Sequence, residues 1–427
     1  MSSAAMLAVF IALMLLRVPV CAAMGFGAIA GLALMGLPLS TMARYMIEEA
    51  RAVPLLAIPF FVLAAAVMNE FGVTRRIFDF ANHLVGWMRG GLAQVAIVSN
   101  MVFAGISGSA LADIAGLGTI IINAMTRHGY RLEFAAGITV AASVVAPIIP
   151  PSIMFIIYAV MMNVSIGKLF VAGIMPGLMI GIVLMITVWI LATFRLEPFP
   201  EPQRSSWGAL GRSALAGAPA ILSPLIILAG MVGGIATPTE AGVLAVLYSL
   251  LLGLLYREIT WTRISRALSS TVRTTAMIMY LTGIGAAMAF VLISDQVAET
   301  LTKQLLALTD QTWVLLLLIN LILLVLGALL ETVPAMLIAI PILGPAAVSF
   351  GVDPLQFGVM LCLNLLIGIM TPPIGLGIFA VCAMTGLKIE RAVRACLIFM
   401  PTLLIALLLI TYVPSISTWL PSILFKP

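Results

Sequence analysis

Apolar runs of about twenty residues recur from one end of the chain to the other, and a run of that length crosses a bilayer as one helix. They fall near 4–36, 52–71, 91–106, 110–126, 134–149, 151–163 and 168–194, then near 214–235, 240–256, 274–293, 312–330, 333–349, 355–371, 373–386 and 395–413. A transmembrane β-barrel would instead alternate in segments of about ten residues. Only 9% of the 427 residues are charged, against roughly 25% in soluble domains, and the mean hydropathy is +1.23. A water-soluble enzyme is excluded, and an all-α polytopic membrane protein is predicted. The first run is too long for a signal peptide and lacks a basic leader, so it reads as a retained membrane segment. Stretches 73–89 and 295–309 are charged on one side and apolar on the other, as helices lying in the interface are.

The excess of 21 Lys and Arg over 16 Asp and Glu does not indicate nucleic acid. The cations Arg75, Arg76, Arg89, Arg195, Arg204 and Arg212 sit in gaps between runs, as in cytoplasmic loops and at helix ends. Cys21, Cys362, Cys382 and Cys396 lie inside apolar stretches without metal-ligand spacing, so they read as buried thiols, with no transition-metal site and no disulfide framework.

The polar stretch from Phe194 to Arg212, with Pro198, Pro200 and Pro202, sits near the midpoint, and the two flanking parts echo each other. Pro150-Pro151 followed by Ile157-Tyr158-Ala159-Val160 recurs as Pro372-Pro373 followed by Ile378-Phe379-Ala380-Val381. Asp113 is matched by Glu331, Pro19 by Pro238, and one amphipathic stretch by the other, all about 220 residues apart. The expected organisation is a first repeat over 1–194, a linker over 195–213 and a second repeat over 214–427. The repeats should be inverted, each with broken helices and a re-entrant hairpin, near 91–126 and near 312–349.

Repeated halves broken at matching places point to a secondary transporter. Proline lacks an N–H and displaces the carbonyl four residues earlier. Pro150 and Pro151 therefore release the carbonyls of Ala146 and Pro147, and Pro372 and Pro373 those of Gly368 and Ile369. In hydrocarbon a freed carbonyl must face protein, water or an ion. The other break is Gly105-Ile106-Ser107-Gly108-Ser109 followed by Asp113 and Gly116, with Gly327 to Thr332 and Pro334 as its counterpart. Small residues permit a tight turn inside the membrane. Two readings stand for Asp113 and Glu331: ion ligand, or end of a hairpin at the interface. Glu240 in Thr237-Pro238-Thr239-Glu240 reads as part of a helix cap, and Arg17 beside Pro19 as an interfacial or interhelical anchor.

Two other classes compete. Gly105-Ile106-Ser107-Gly108 is a Gly-x-Ser-Gly string, so an intramembrane serine protease using Ser107 is the alternative function. It needs a histidine base, and the chain has only His83 and His128, in a surface stretch and an arginine-rich turn. A channel or scaffold subunit would not need matched broken helices. No phosphate-binding Gly-Lys-Ser/Thr string occurs, so transport would be gradient-driven.

Four strings, in order, resemble the large membrane subunit of tripartite ATP-independent periplasmic (TRAP) transporters: Ser107–Asp113, Ala146–Ser152, Gly234–Ala241 and Gly368–Gly375. The resemblance spans essentially the whole chain, departing from it at Ala110, where many members carry a small hydroxyl residue. It implies a multi-pass bacterial inner-membrane permease with no cofactor other than Na⁺ as coupling ion. It further implies elevator-type, sodium-coupled uptake of organic acids of the C4-dicarboxylate, sialic acid or sugar-acid class. The implied partners are a small four-helix membrane subunit and an extracytoplasmic substrate-binding protein. The expected sodium ligands are Ser107, Gly108, Ser109, Asp113, Ala146, Pro147, Gly327, Glu331, Gly368, Ile369 and Thr371. The expected substrate site comprises Ser109, Pro150, Pro151, Ser152, Pro372, Pro373 and Gly375, where half-helix N-termini supply partial positive charge.

Overall fold

A backbone inside a bilayer must satisfy its own hydrogen bonds, and the structure meets that demand with helices alone. This computed structural model describes residues 2–201, 206–308 and 311–425, among which there is no strand. Pro202 and Arg204 of the expected linker lie outside the described residues, and a helix begins within that linker at Trp207. By length and composition, seven described helices can cross a membrane: Val53–Glu70, Ile166–Thr193, Trp207–Val232, Pro238–Leu255, Trp261–Ser294, Thr312–Leu329 and Thr332–Ser349. Ile389–Leu397 and Met400–Tyr412, bent by 48°, form an eighth if counted as one broken span.

Helix starts are marked by polar caps. Ser152, Ser165, Ser206, Thr260 and Asp353 each accept a hydrogen bond from a first-turn amide, satisfying an otherwise orphaned donor. Thr237 and Glu240 form a reciprocal capping box, so Glu240 is a helix cap, as its sequence context indicates.

Side-chain bonds fix which helix ends lie together. At one end, Tyr130 Oη donates to Gly90 O at 3.0 Å, Arg89 reaches Thr193 at 3.2 Å, and Arg266 pairs with Glu70 at 3.0 Å. At the other, Thr312 donates to Phe350 O at 3.3 Å and Tyr412 to Trp313 O at 3.1 Å, while Phe425 lies beside Gly167. The helix Ile166–Thr193, of 28 residues or about 42 Å, runs from the second end to the first. The hairpin Leu92–Ser107, Ala110–Ala115, Leu117–Arg127 thus enters from the first end, and the hairpin Thr312–Leu329, Thr332–Ser349 from the second.

The longest helix, Trp261–Ser294, has 34 residues, about 51 Å. It packs against Val20–Leu34, Ser40–Ala50, Ala57–Glu70 and the second hairpin. With Trp207–Val232 and Pro238–Leu255 these helices form an outer frame rich in exposed apolar side chains. The most continuously buried segments belong to the hairpins and the two proline-broken helices. Amphipathic Val73–Val85 packs on both the frame helix Trp207–Val232 and the hairpin limb Leu92–Ser107.

Three elements differ from the sequence expectation. The run at 4–36 is two helices, Ser2–Leu15 and Val20–Leu34, parted by Arg17 at φ 64° and Pro19. The run at 274–293 is the membrane part of the 34-residue helix, whose polar first turns project beyond the apolar stretch. The run at 395–413 is preceded by the amphipathic helix Ile389–Leu397, whose charged face hides it from hydropathy.

Candidate functional site

The first hairpin turns at Ser107-Gly108-Ser109. Gly108 has φ 59°, and a Cβ there would lie 2.7 Å from the Pro151 carbonyl oxygen. No L side chain fits, so this glycine lets the hairpin tip touch the proline break. Ser109 caps the short helix Ala110–Ala115 by accepting from Ala112 N–H at 3.4 Å. The Ser107 hydroxyl donates to Asp113 Oδ1. Asp113 is 1% exposed, and its Oδ2 has no hydrogen-bond partner among the described residues. A buried carboxylate oxygen without a donor is costly unless a cation or a proton compensates it.

The second tip docks on the second break through glycines. A Cβ on Gly368 would lie 2.2 Å from the Gly327 carbonyl carbon and 2.3 Å from its oxygen. Ile374 N–H donates to Ala328 O at 3.2 Å across the same contact. Pro150-Pro151 and Pro372-Pro373 are both cis. Three of the four released carbonyls have donors. Pro147 O accepts from the Ser152 hydroxyl at 2.5 Å, Gly368 O from Thr371 N–H at 3.0 Å, and Ile369 O from Gly377 N–H at 2.9 Å. A carbonyl oxygen has two lone pairs, so one such bond leaves acceptor capacity. The Ser152 hydroxyl also accepts from Phe155 N–H at 3.2 Å, and that of Thr371 donates to Ile367 O at 2.9 Å. Both hydroxyl protons are therefore spent locally rather than presented as free donors.

All four breaks meet at one cavity of about 450 Å³. Ser107, Gly108 and Ser109 come to it from the first tip, Glu331 and Thr332 from the second, Pro147 from the first proline break and Ile369 from the second. Asp113, Ala146, Gly327, Gly368 and Thr371 are not in its wall; nor are Pro150, Pro151, Ser152, Pro372, Pro373 and Gly375. Among them, Ser152 caps Ile153–Met162, Gly368 packs on Gly327, and Pro372 and Pro373 are exposed. Ile153 and Met154 do line it, so the N-terminus of Ile153–Met162 faces the space, as does that of Thr332–Ser349.

The fourth wall is frame: Asn69 from Ala57–Glu70, and Ser270 and Thr274 from Trp261–Ser294. Sequence reasoning missed these three. Their signal was a polar residue closing an apolar run, and a Ser/Thr-rich stretch just before one. It missed as well the buried chain in which Asn364 Nδ2 donates to Asn320 Oδ1 at 2.7 Å, Asn320 Nδ2 to Thr411 Oγ1 at 3.0 Å and Gln356 Nε2 to Thr411 O at 2.7 Å. That chain ties the second hairpin to its broken helix and to Met400–Tyr412.

Chemically the cavity offers hydroxyls, carbonyls and one carboxylate, Glu331; neither cation nor histidine lines it. Among the described residues no cluster of three or more His, Cys, Asp or Glu exists. Hard oxygen donors of this kind suit a hard cation such as Na⁺. The histidine base that the Ser107 protease alternative requires does not line the cavity, and the Ser107 hydroxyl is held by Asp113 instead.

The sequence matches the family described as tripartite ATP-independent periplasmic transporter, DctM component, over residues 7–416. It is 36% identical over 384 residues to the C4-dicarboxylate TRAP transporter large permease protein DctM of Pseudomonas aeruginosa, covering 90% of this chain and 89% of that one. It is 37% identical over 372 residues to the sialic acid TRAP transporter large permease protein SiaM of Vibrio cholerae, covering 86% of each. The solved YdaH transporter of Alcanivorax borkumensis shares the fold, with a TM-score of 0.63 at 16% identity over 89% of this chain and 88% of that one. With two breaks and two tips around one cavity, and these relatives along its length, the chain belongs to the DctM family of TRAP transporters: it is a multi-pass inner-membrane transporter subunit and not an enzyme.

Proposed function

We propose that this chain is the large permease of a sodium-coupled, binding-protein-dependent importer of organic acids, and that its two halves are inverted repeats working as an elevator. The observation that carries the reading is the convergence of both hairpin tips and both proline breaks on one cavity. Hairpins entering from opposite ends, with both tips lining one cavity, support inverted repeats around a central site. The frame and the deeply buried hairpin body are the natural stationary and moving parts.

The charge balance of the cavity supports coupling. A carboxylate substrate would meet Glu331 and no basic side chain. The helix N-termini at Ile153 and Thr332 supply about half a positive charge each, which does not offset an organic dianion next to Glu331. Bound sodium supplies the missing charge, so anion and cation bind together. Ser107, Gly108, Ser109 and Asp113 with the carbonyls of Ala146 and Pro147 form the first sodium region. Gly327, Glu331 and Thr371 with the carbonyls of Gly368 and Ile369 form the second. The substrate lies between the tips, against Ser109 and Thr332, and the breaks at Pro150, Pro151 and Ser152 and at Pro372, Pro373 and Gly375 bring Pro147 and Ile369 to its wall.

Orientation follows from the charges. Arg76, Arg89, Arg131, Arg263, Arg266 and Arg391 gather at the first end, whereas the cations Arg44, Arg51 and Lys168 toward the second are fewer. By the positive-inside rule the first end is cytoplasmic. Asn69, Ser270 and Thr274 lie in the half of their helices nearer that end, so the cavity faces inward in this conformation.

"Large permease" in the relatives' names supports a separate small membrane subunit, and "periplasmic" in the family description supports a soluble binding protein that delivers the substrate. The C4-dicarboxylate and sialic acid named for two relatives support an organic-acid substrate. The test is uptake by vesicles reconstituted with this chain, its small subunit and the cognate binding protein. Uptake should require an inward sodium gradient and the binding protein. Equal uptake with potassium in place of sodium refutes the coupling.

A further inference from the structure

A charged cleft at the first end, the end read above as cytoplasmic, lies apart from the transport cavity. It has a volume of about 380 Å³ and is bounded by Arg131, Arg391, Arg394, Glu133 and Glu197 over an apolar floor of Phe134, Ala395 and Ile398. The geometry points to a binding site for the phosphodiester headgroup of an anionic phospholipid, held by Arg394, Arg131 and Arg391.

The cleft is built where the two halves of the chain touch. A Cβ on Gly137 would lie 2.7 Å from the Ala395 carbonyl oxygen, so Leu132–Ser143 and Ile389–Leu397 are in backbone contact. Ile389–Leu397 buries Ala392, Ala395 and Cys396 and turns Arg391 and Arg394 outward. It then bends by 48° into the apolar helix Met400–Tyr412. A helix that is polar on one side, buried on the other and followed by a span lies at headgroup depth. Phe134 packs edge-on to Phe199 at 5.1 Å and against Phe399 at 5.8 Å, which makes the floor rigid.

The charges are incompletely matched. Arg391 pairs with Glu133 at 3.3 Å. Arg131 approaches Glu197 Oε2 at 3.5 Å, yet that oxygen has no hydrogen-bond partner among the described residues, so the guanidinium retains its donors. Arg394 has no acidic partner among the described residues. The cleft therefore has one net positive charge, which a single phosphodiester neutralises, and planar guanidinium forks suit phosphate oxygens. Basic pockets between membrane helices on the cytoplasmic side take anionic headgroups in this way. The apolar floor distinguishes a lipid from free phosphate: it offers contact to glycerol and acyl carbons and nothing to an inorganic ion.

The test counts retained lipid. Delipidated full-length protein is mixed with micelles of phosphatidylcholine containing phosphatidylglycerol, and bound lipid is measured by native mass spectrometry. The wild type should retain phosphatidylglycerol in preference to phosphatidylcholine. Arg394→Gln should weaken that retention about fivefold, and Arg394→Lys should keep most of it. Arg273→Gln, which alters a cation of the same end outside the cleft, should change nothing. If Arg394→Gln yields no folded protein, Ile398→Asn, which spoils the floor and leaves every cation, should weaken retention in its place. Retention unchanged by either substitution, or no preference over phosphatidylcholine, overturns the proposal. Competition by millimolar inorganic phosphate as effective as by the lipid also overturns it, since it would mark a soluble-anion site.

Discussion

Replacing Gly368 by alanine should detach the second hairpin from its broken helix, whereas replacing Gly327, directly opposite, should not. The new methyl at 368 would lie 2.2, 2.3 and 2.6 Å from the carbonyl carbon, oxygen and Cα of Gly327. All three are backbone atoms, so no side chain can swing aside. Reaching ordinary contact near 3.5 Å requires the helices to part by roughly 1.3 Å. That movement costs about 1–3 kcal/mol in overpacking and strains the bond from Ile374 N–H to Ala328 O, worth about 1 kcal/mol. A methyl at 327 meets the Leu365 Cα and carbonyl oxygen at 3.1 Å and the Gly368 Cα at 3.4 Å. It needs only a few tenths of an ångström, a cost that the better helix propensity of alanine, about 1 kcal/mol, cancels. Denaturation of both purified variants in lipid nanodiscs compares them directly. Gly368→Ala should lose about 2–4 kcal/mol and most sodium-dependent uptake, and Gly327→Ala should stay near the wild type in both. Equal stability of the two variants would refute the packing argument.

Asp113→Asn keeps an acceptor for Ser107 and removes the charge beside the first tip; it should raise the sodium concentration for half-maximal uptake at least tenfold, about 1.4 kcal/mol of lost ion stabilisation, as read by sodium titration in vesicles. Alanine at both members of either proline pair should restore N–H groups, pull back the released carbonyls and weaken apparent sodium affinity more than folding; unchanged affinity with measurable transport would make the pairs structural kinks. Glu240→Ala removes one side of the capping box and should lower thermal stability slightly, as read by a melting curve, without changing the sodium dependence of uptake. Arg263 and Arg76 hold the Glu258 carboxyl below its ordinary value of 4.5, chiefly through the hydrogen bond from Arg263. Its contribution should therefore be present above about pH 4.5 and lost as pH falls through the lower native value. Arg263→Gln should flatten that acid limb of a stability–pH profile.

Much of the architecture is legible because lipid enforces it. Each apolar run had to become a helix, and small polar residues or proline had to interrupt it where the chain turns. Leu92–Ser107, Gly108 and Ala110–Ala115 follow from that rule almost to the residue. The limits are equally physical. Arg17 parts the first two helices in a left-handed conformation that no hydropathy pattern announces. The frame side of the cavity was invisible because Asn69, Ser270 and Thr274 reach it from helices far apart in the chain. Ser152, expected in the substrate site, and Thr371, expected among the sodium ligands, do not line the cavity, because a hydroxyl beside a broken helix is first used by the nearest orphaned backbone group. The Asn320–Asn364 contact was illegible for a similar reason: each amide alone is only a lone polar residue in an apolar run.

The central claim is that the two hairpin tips enclose one site that sodium fills. Leu111 and Val333 line the cavity from opposite tips and are not assigned as ligands. Single cysteines at these positions, in a background without the four native ones, report the space from both sides through their rate of thiol labelling. Sodium should slow labelling at both positions over the same concentration range, and potassium at equal ionic strength should slow neither. Protection at only one tip, or equal protection by potassium, would contradict the account.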